Sequence, residues 1–193
     1  MIVQKLKIWI LSILGAPLLL LAPFVKRSMK KLEGQIENDP ESVPEHIRKY
    51  HAFTKMDDQA YEELKSGNYD EARSISTELL KVAEQYKDDW NYGNALHHGN
   101  TVLGLIAIKE GKIDQAIKYL RKSGNVEGSP QLDSFGPSRC LAMELLLKDR
   151  NHEVIEYLES VESFWEHGYK ELPKWIKIIR SGEIPETWQR LKY

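Results

Sequence analysis

Six histidines, one cysteine and a few adjacent acid pairs are the residues of this 193-residue chain whose types could do chemistry. The histidines are His46, His51, His97, His98, His152 and His167, and none stands in an H-E-x-x-H or comparable metal-ligand spacing. His97 and His98 are neighbours. On a helix such neighbours diverge by about 100°, so they do not share a metal from one face and read as polar helix positions, with a ligand or pH-sensing role as the alternative. Cys140 is the single cysteine, which excludes an internal disulfide or a multi-cysteine zinc site and leaves a small buried apolar residue as the plain reading. The pairs Asp57-Asp58 and Asp88-Asp89 have the type for acid/base work but the wrong spacing, since neighbouring helix positions point apart. No G-x-S-x-G elbow, Walker loop or G-x-G-x-x-G fingerprint is present. Catalytic residues, a metal site and a cofactor are accordingly not assigned, and a non-catalytic protein is expected.

Charge and hydropathy divide the chain. Residues 8 to 25, IWILSILGAPLLLLAPFV, carry no charge, and a helix of that length at ~1.5 Å per residue spans about 27 Å, enough to cross a bilayer. A retained anchor is expected over a cleaved signal, because Ala16 and Ala22 are each followed by proline and the A-x-A pattern is missing. Basic residues flank it: Lys5 and Lys7 before, then Lys26, Arg27, Lys30 and Lys31 after. The larger cluster on the C-terminal side favours a single-pass protein with a cytoplasmic body, the extracytoplasmic side being the alternative. The net charge of −2 includes +5 from residues 1 to 33, so the remainder stands at −7. An acidic body repels phosphate backbones, and no nucleic-acid partner is expected.

Three segments follow: a basic-flanked anchor over 1 to 33, a linker over 34 to 45 punctuated by Gly34, Pro40 and Pro44, and a folded body over 46 to 193. Apolar residues recur at helical spacing through Ala72, Ile75, Leu79, Val82, Ala83 and Tyr86, with almost no β pattern, so the class is all-α. Similar short turns separate successive helices at KSGNYDEA (65 to 72), KEGKIDQA (109 to 116) and LKDRNHEV (147 to 154). The middle unit has Leu103-Gly104-x2-Ala107, then Gly111 and Ile113, then Ala116-x3-Leu120, with Gly104 read as a point of close helix approach. In these residues the chain resembles the tetratricopeptide (TPR) family of helical repeats. The flanking units depart from the pattern, with Ser76 where a large apolar residue is usual and Val154 where a small one is. The turn positions 67, 111 and 149 are also spaced more widely than the family's ~34 residues. The resemblance implies a short array of about three antiparallel helix pairs plus a C-terminal capping helix, preceded by one transmembrane helix. Phe164, Trp165, Tyr169, Leu172, Trp175, Ile176 and Ile179 supply the cap's apolar face.

The resemblance further implies a concave groove lined by the first helix of each unit. Its expected residues are Tyr61, Lys65, His98, Thr101, Leu105, Lys109, Arg139 and Met143, and its expected occupant is a peptide or amphipathic helix of another protein. Some of the family grip a peptide's terminal carboxylate with Lys, Asn and Arg on successive first helices. Asp57, Tyr61 and Val102 occupy places where that set is expected, so this mode is not. The segment over 124 to 138 holds three glycines and two prolines and reads either as a structured connector folded back on its own domain, the favoured reading, or as a second surface of Ser129, Gln131, Asp133, Ser134 and Phe135. The favoured function is a membrane-tethered interaction scaffold, with self-association compatible with it. The competing one is an accessory subunit or enzyme with a small-molecule site beside that loop.

Overall fold

The computed structural model describes residues 18–188, and among them the secondary structure is entirely helical: ten α-helices, four short 3-10 turns and no strand. The all-α class is thereby settled. The chain divides into two compact units, residues 1 to 51 and residues 52 to 193.

In the first unit α1 (Leu18–Asn38) is followed by a 3-10 turn, and α2 (Glu45–Phe53) begins there and ends in the second unit. Most of the apolar run over 8 to 25 lies outside the described residues. Its last part opens α1, which holds Pro23 and continues through the basic cluster to Asn38. Among the described residues no helix is long and apolar enough to cross a membrane. Residues 34 to 38, read as linker, are helical instead. Gly34 has nothing near its Cα to constrain it, Asn38 Nδ2 donates to the Gly34 carbonyl at 2.7 Å, and Pro40 is the residue that ends the helix.

The second unit carries α3 (Met56–Ser66), α4 (Tyr69–Ala83), α5 (Tyr92–Lys109), α6 (Ile113–Gly124), α7 (Pro130–Phe135), α8 (Cys140–Leu146), α9 (Asn151–Val161) and α10 (Leu172–Arg180). One turn recurs through it. After α3, Gly67 N–H donates to Leu64 and Asn68 N–H to Glu63; after α5, Gly111 donates to Ile108 and Lys112 to Ala107. After α8, Asp149 donates to Leu146 and Arg150 to Leu145; after α10, Gly182 donates to Ile179 and Glu183 to Ile178. The pivot residue has positive φ each time, 81° at Gly67, 73° at Gly111, 60° at Asp149 and 84° at Gly182. This is the left-handed helix stop that satisfies two terminal carbonyls, and asparagine or aspartate tolerates it where glycine is lacking. The first three stops let the next helix fold back, so α3 packs on α4, α5 on α6 and α8 on α9, while α3, α5 and α8 touch in succession.

Helix α5 is the centre of this unit, with 14 of its 18 residues buried, so every polar group it carries needs an internal partner. Small residues allow its close crossings. A Cβ on Gly104 would stand 2.2 Å from Leu141, and one on Gly99 would meet Leu80 at 3.0 Å and the Ser76 carbonyl at 3.5 Å. The serine at position 76 thus has a packing reason, because it is fully buried with its carbonyl against Gly99 of α5. The C-terminal face closes as expected at Phe164, Trp165, Leu172, Trp175 and Ile179, all buried, with Ile176 packed partly against them. Tyr169 departs from that expectation and stands 64% exposed, whereas Trp188, not singled out beforehand, is wholly buried and meets Trp175 edge-on at 5.2 Å.

Candidate functional site

The buried polar groups of α5 organise the region where α3, α5 and α8 meet. His97 is fully buried and uses both ring nitrogens: Nδ1–H donates to the Ser123 carbonyl at 2.8 Å, and Nε2 accepts from Ser138 N–H at 2.8 Å. That pair of bonds fixes a neutral imidazole as the Nδ1–H tautomer, and burial pushes its pKa down to about 3. His97 is therefore a staple joining α5 to the end of α6 and to the segment before α8. Ser138 is the second hub. Its carbonyl accepts from the Tyr157 hydroxyl at 2.8 Å, and it lines the same cleft as Tyr61 and Cys140.

With the backbone at Ser138 held this way, a cleft of about 280 Å3 opens between Asp58, Tyr61, Glu62 and Lys65 of α3, His98 of α5, and Ser138 and Cys140. The Tyr61 hydroxyl lies 3.4 Å from His98 Nδ1, and the two rings meet edge-on at 5.8 Å. Burial sets the electrostatics of the floor. It pushes His98 down to about 4 and raises the Tyr61 phenol and the Cys140 thiol, so all three are neutral at pH 7. Burial also raises the neighbouring Asp57 carboxyl. The rim is charged, with Lys65 3.1 Å from Glu62, an exposed pair of small energetic weight that a ligand could replace. Such a floor can donate and accept hydrogen bonds. It offers no thiolate for attack, since Cys140 is held in the less nucleophilic protonated form.

Of the eight groove residues expected from sequence, Tyr61, Lys65 and His98 line this cleft. Thr101 and Leu105 do not. Both are buried, at 1% and 0% exposure, because α5 is covered on nearly every side, and Thr101 Oγ1 donates back to the His97 carbonyl at 2.8 Å. Lys109 is exposed in the last turn of α5 and outside the cleft lining, and Met143 packs partly against the core. Arg139 is half-buried beside the cleft, with its guanidinium carbon 5.0 Å from the Trp175 ring centroid. Sequence reasoning missed Asp58, Glu62, Ser138 and Cys140. Asp58 and Glu62 share a helix face with Tyr61 and Lys65 and were within reach of the i, i+3, i+4, i+7 pattern, whereas no periodicity marks Ser138.

The expected loop surface comes apart. Ser129 is buried as the N-cap of α7, its hydroxyl accepting from Leu132 N–H at 3.0 Å and donating to Asn94 Oδ1 at 2.5 Å. Asp133 is half-buried, while Gln131, Ser134 and the 83%-exposed Phe135 face outward. A second, larger depression of about 510 Å3 lies between α9 and α10, and its Glu156 and Glu159 are already paired with Arg121 and Arg180. Among the described residues no group of three His, Cys, Asp or Glu side chains is placed to hold a metal ion. Comparison of the chain with protein-family models, with curated proteins and with solved structures finds no match.

Proposed function

We propose that this chain is a non-catalytic, membrane-tethered scaffold of TPR-like helix pairs whose cleft takes a peptide or helix of another protein. One observation carries the reading: the cleft draws its walls from the leading helices of three successive pairs, Asp58 to Lys65 on α3, His98 on α5 and Cys140 on α8. Consecutive pairs that share a wall are how stacked helical repeats present a binding face. The fourfold recurrence of the same helix stop supports the repeat, as does Gly104 under Leu141. A neutral floor with a charged rim suits an extended or helical segment whose backbone and apolar side chains enter while its charges fix direction. The uncharged run over 8 to 25 with its basic flanks supports the tether and a cytoplasmic body.

The test uses the full-length chain in its own membranes with a photo-crosslinking residue in place of Lys65 and, as a control, of Leu147, an exposed residue outside the cleft. A discrete protein adduct from position 65 and none from 147 is the expected result, and Lys65→Glu should lower capture by an uncrosslinked pull-down with helicity unchanged. A co-purifying metabolite with no protein adduct would move the assignment to a small-molecule site, and a chain found soluble and unprocessed would remove the tether.

A further inference from the structure

Four cations stand together on α1. Lys26, Arg27, Lys30 and Lys31 follow directly on the uncharged run that ends at Val25, and all four are exposed. At about 100° per residue they fall within roughly 140° of the helix circumference, while the half-buried Met29, Leu32 and Ile36 take the opposite side. The helix therefore presents one basic face. Nearby charges in the first unit have partners: Lys49 pairs with Glu45 at 2.7 Å, and Glu33, the acid closest to the cluster in sequence, stands 3.7 Å from His51 Nε2. Among the described residues no carboxylate lies within ion-pair distance of the four. Lys26 and Lys30, and Arg27 and Lys31, are like charges one turn apart, a spacing that opposes the helix unless an anionic surface meets it.

The place of this face along the chain names its partner. From Lys26 to Lys31 is about 8 Å of helix axis at ~1.5 Å per residue, less than the ~10 Å over which 0.1 M salt screens a charge, so the four act as one patch. With the uncharged run as the tether, the patch starts at the level of the lipid headgroups. We propose that this basic face of α1 binds the phosphate headgroups of anionic lipids. This rests on the tether reading and adds a lipid preference to it. A nucleic acid offers the same phosphodiester chemistry, but its backbone would also meet the rest of the chain, which carries −7 once the +5 of residues 1 to 33 is taken from the net −2. Orienting the chain during insertion needs only the number of cations on each side and predicts no lipid preference in the finished membrane.

The full chain reconstituted in vesicles of equal phosphatidylcholine and phosphatidylglycerol tests this, with the lipid that co-elutes after extraction in a neutral detergent measured by mass spectrometry. Phosphatidylglycerol should be enriched about five-fold or more over phosphatidylcholine, and raising the salt should reduce the enrichment. Replacing Lys26, Arg27, Lys30 and Lys31 together by Gln should erase it, whereas Lys26→Arg with Lys30→Arg and Lys31→Arg should keep it. Replacing Lys118, Lys122, Lys148 and Lys177 by Gln removes the same charge from exposed positions of the second unit and should also keep it. No enrichment in the wild type, an enrichment that survives the α1 Gln variant, an equal loss in the second-unit variant, or displacement of the lipid by a single-stranded oligonucleotide overturns the proposal. Flotation on pure phosphatidylcholine vesicles reads the tether separately. A chain that floats there without enriching phosphatidylglycerol keeps the tether and loses this face; one that floats only with phosphatidylglycerol present keeps the face and loses the tether.

Discussion

Lowering the pH from 7 to 5 should remove several kcal/mol of folding stability, shared about equally by His97 and His98, before the surface carboxylate pairs begin to titrate. An unfolded histidine has a pKa near 6.5, whereas His97 in the folded protein sits at about 3. Because the folded value is depressed, the unfolded chain binds the extra proton first, and stability falls as pH drops from about 6.5 towards 3. The slope is about 1.4 kcal/mol per pH unit per histidine, so His97 alone contributes about 2 kcal/mol by pH 5. His98, depressed to about 4, adds to the same window. The mechanical reason is local: protonated Nε2 would point a second donor at Ser138 N–H, breaking the bond that pins the segment before α8. The loss is a sizeable share of the ~5–15 kcal/mol that holds a domain, and it should open the cleft before the body unfolds. Urea titrations at pH 7, 6 and 5 check it. Wild-type midpoints should fall steadily with pH, and His97→Gln should start lower at pH 7 but fall with roughly half the slope; equal slopes for the two proteins would refute the assignment to His97.

The features legible in the sequence are those that repeat or alternate. The turns at Gly67 and Gly111 announce themselves by composition, and the third, LKDRNHEV, was found by similarity to them although its pivot proves to be Asp149 in a left-handed conformation. Helical spacing grouped Tyr61, Lys65 and His98, and these three line one cleft. The same spacing did not bring Thr101 and Leu105 to the cleft one turn later, because α5 is buried nearly all round and a periodic pattern cannot orient a helix with almost no wet face. In the loop, the connector reading fits Ser129, whereas its reading as a surface residue does not, for a related reason. Ser129 has the type of an exposed binding residue, and only the approach of α7 to Asn94 turns it into a buried cap. Ser138 was invisible for the strongest reason: its role depends on where residues 125 to 139 run across α5, a tertiary fact with no period.

That crossing makes Gly93 the most sensitive small residue in the second unit. Gly93→Ala should destabilise the protein by a net ~2–3 kcal/mol, even though alanine in a helix interior ordinarily gains about 1 kcal/mol over glycine. The added Cβ would stand 2.1 Å from the Glu127 carbonyl oxygen and 2.8 Å from that of Gly128, and these are backbone atoms that cannot rotate aside. The loop cannot simply lift, since the next residue, Ser129, is tied both to Asn94 and to the first turn of α7. Gly128 is itself hemmed in by Asp133 and Phe164, so a displacement would propagate into the packing beneath the loop. A shift of the 127–129 backbone also pulls on the Ser138 anchor, so capture at the cleft should weaken together with stability. Gly34→Ala supplies the contrast, being helical with nothing within 4 Å, and should be neutral or slightly stabilising. Thermal unfolding of the two variants beside the wild type decides it: a Tm lower by roughly 5–10 °C for Gly93→Ala is expected, and a Tm equal to that of the wild type would mean that the loop does not lie against α5 at Gly93.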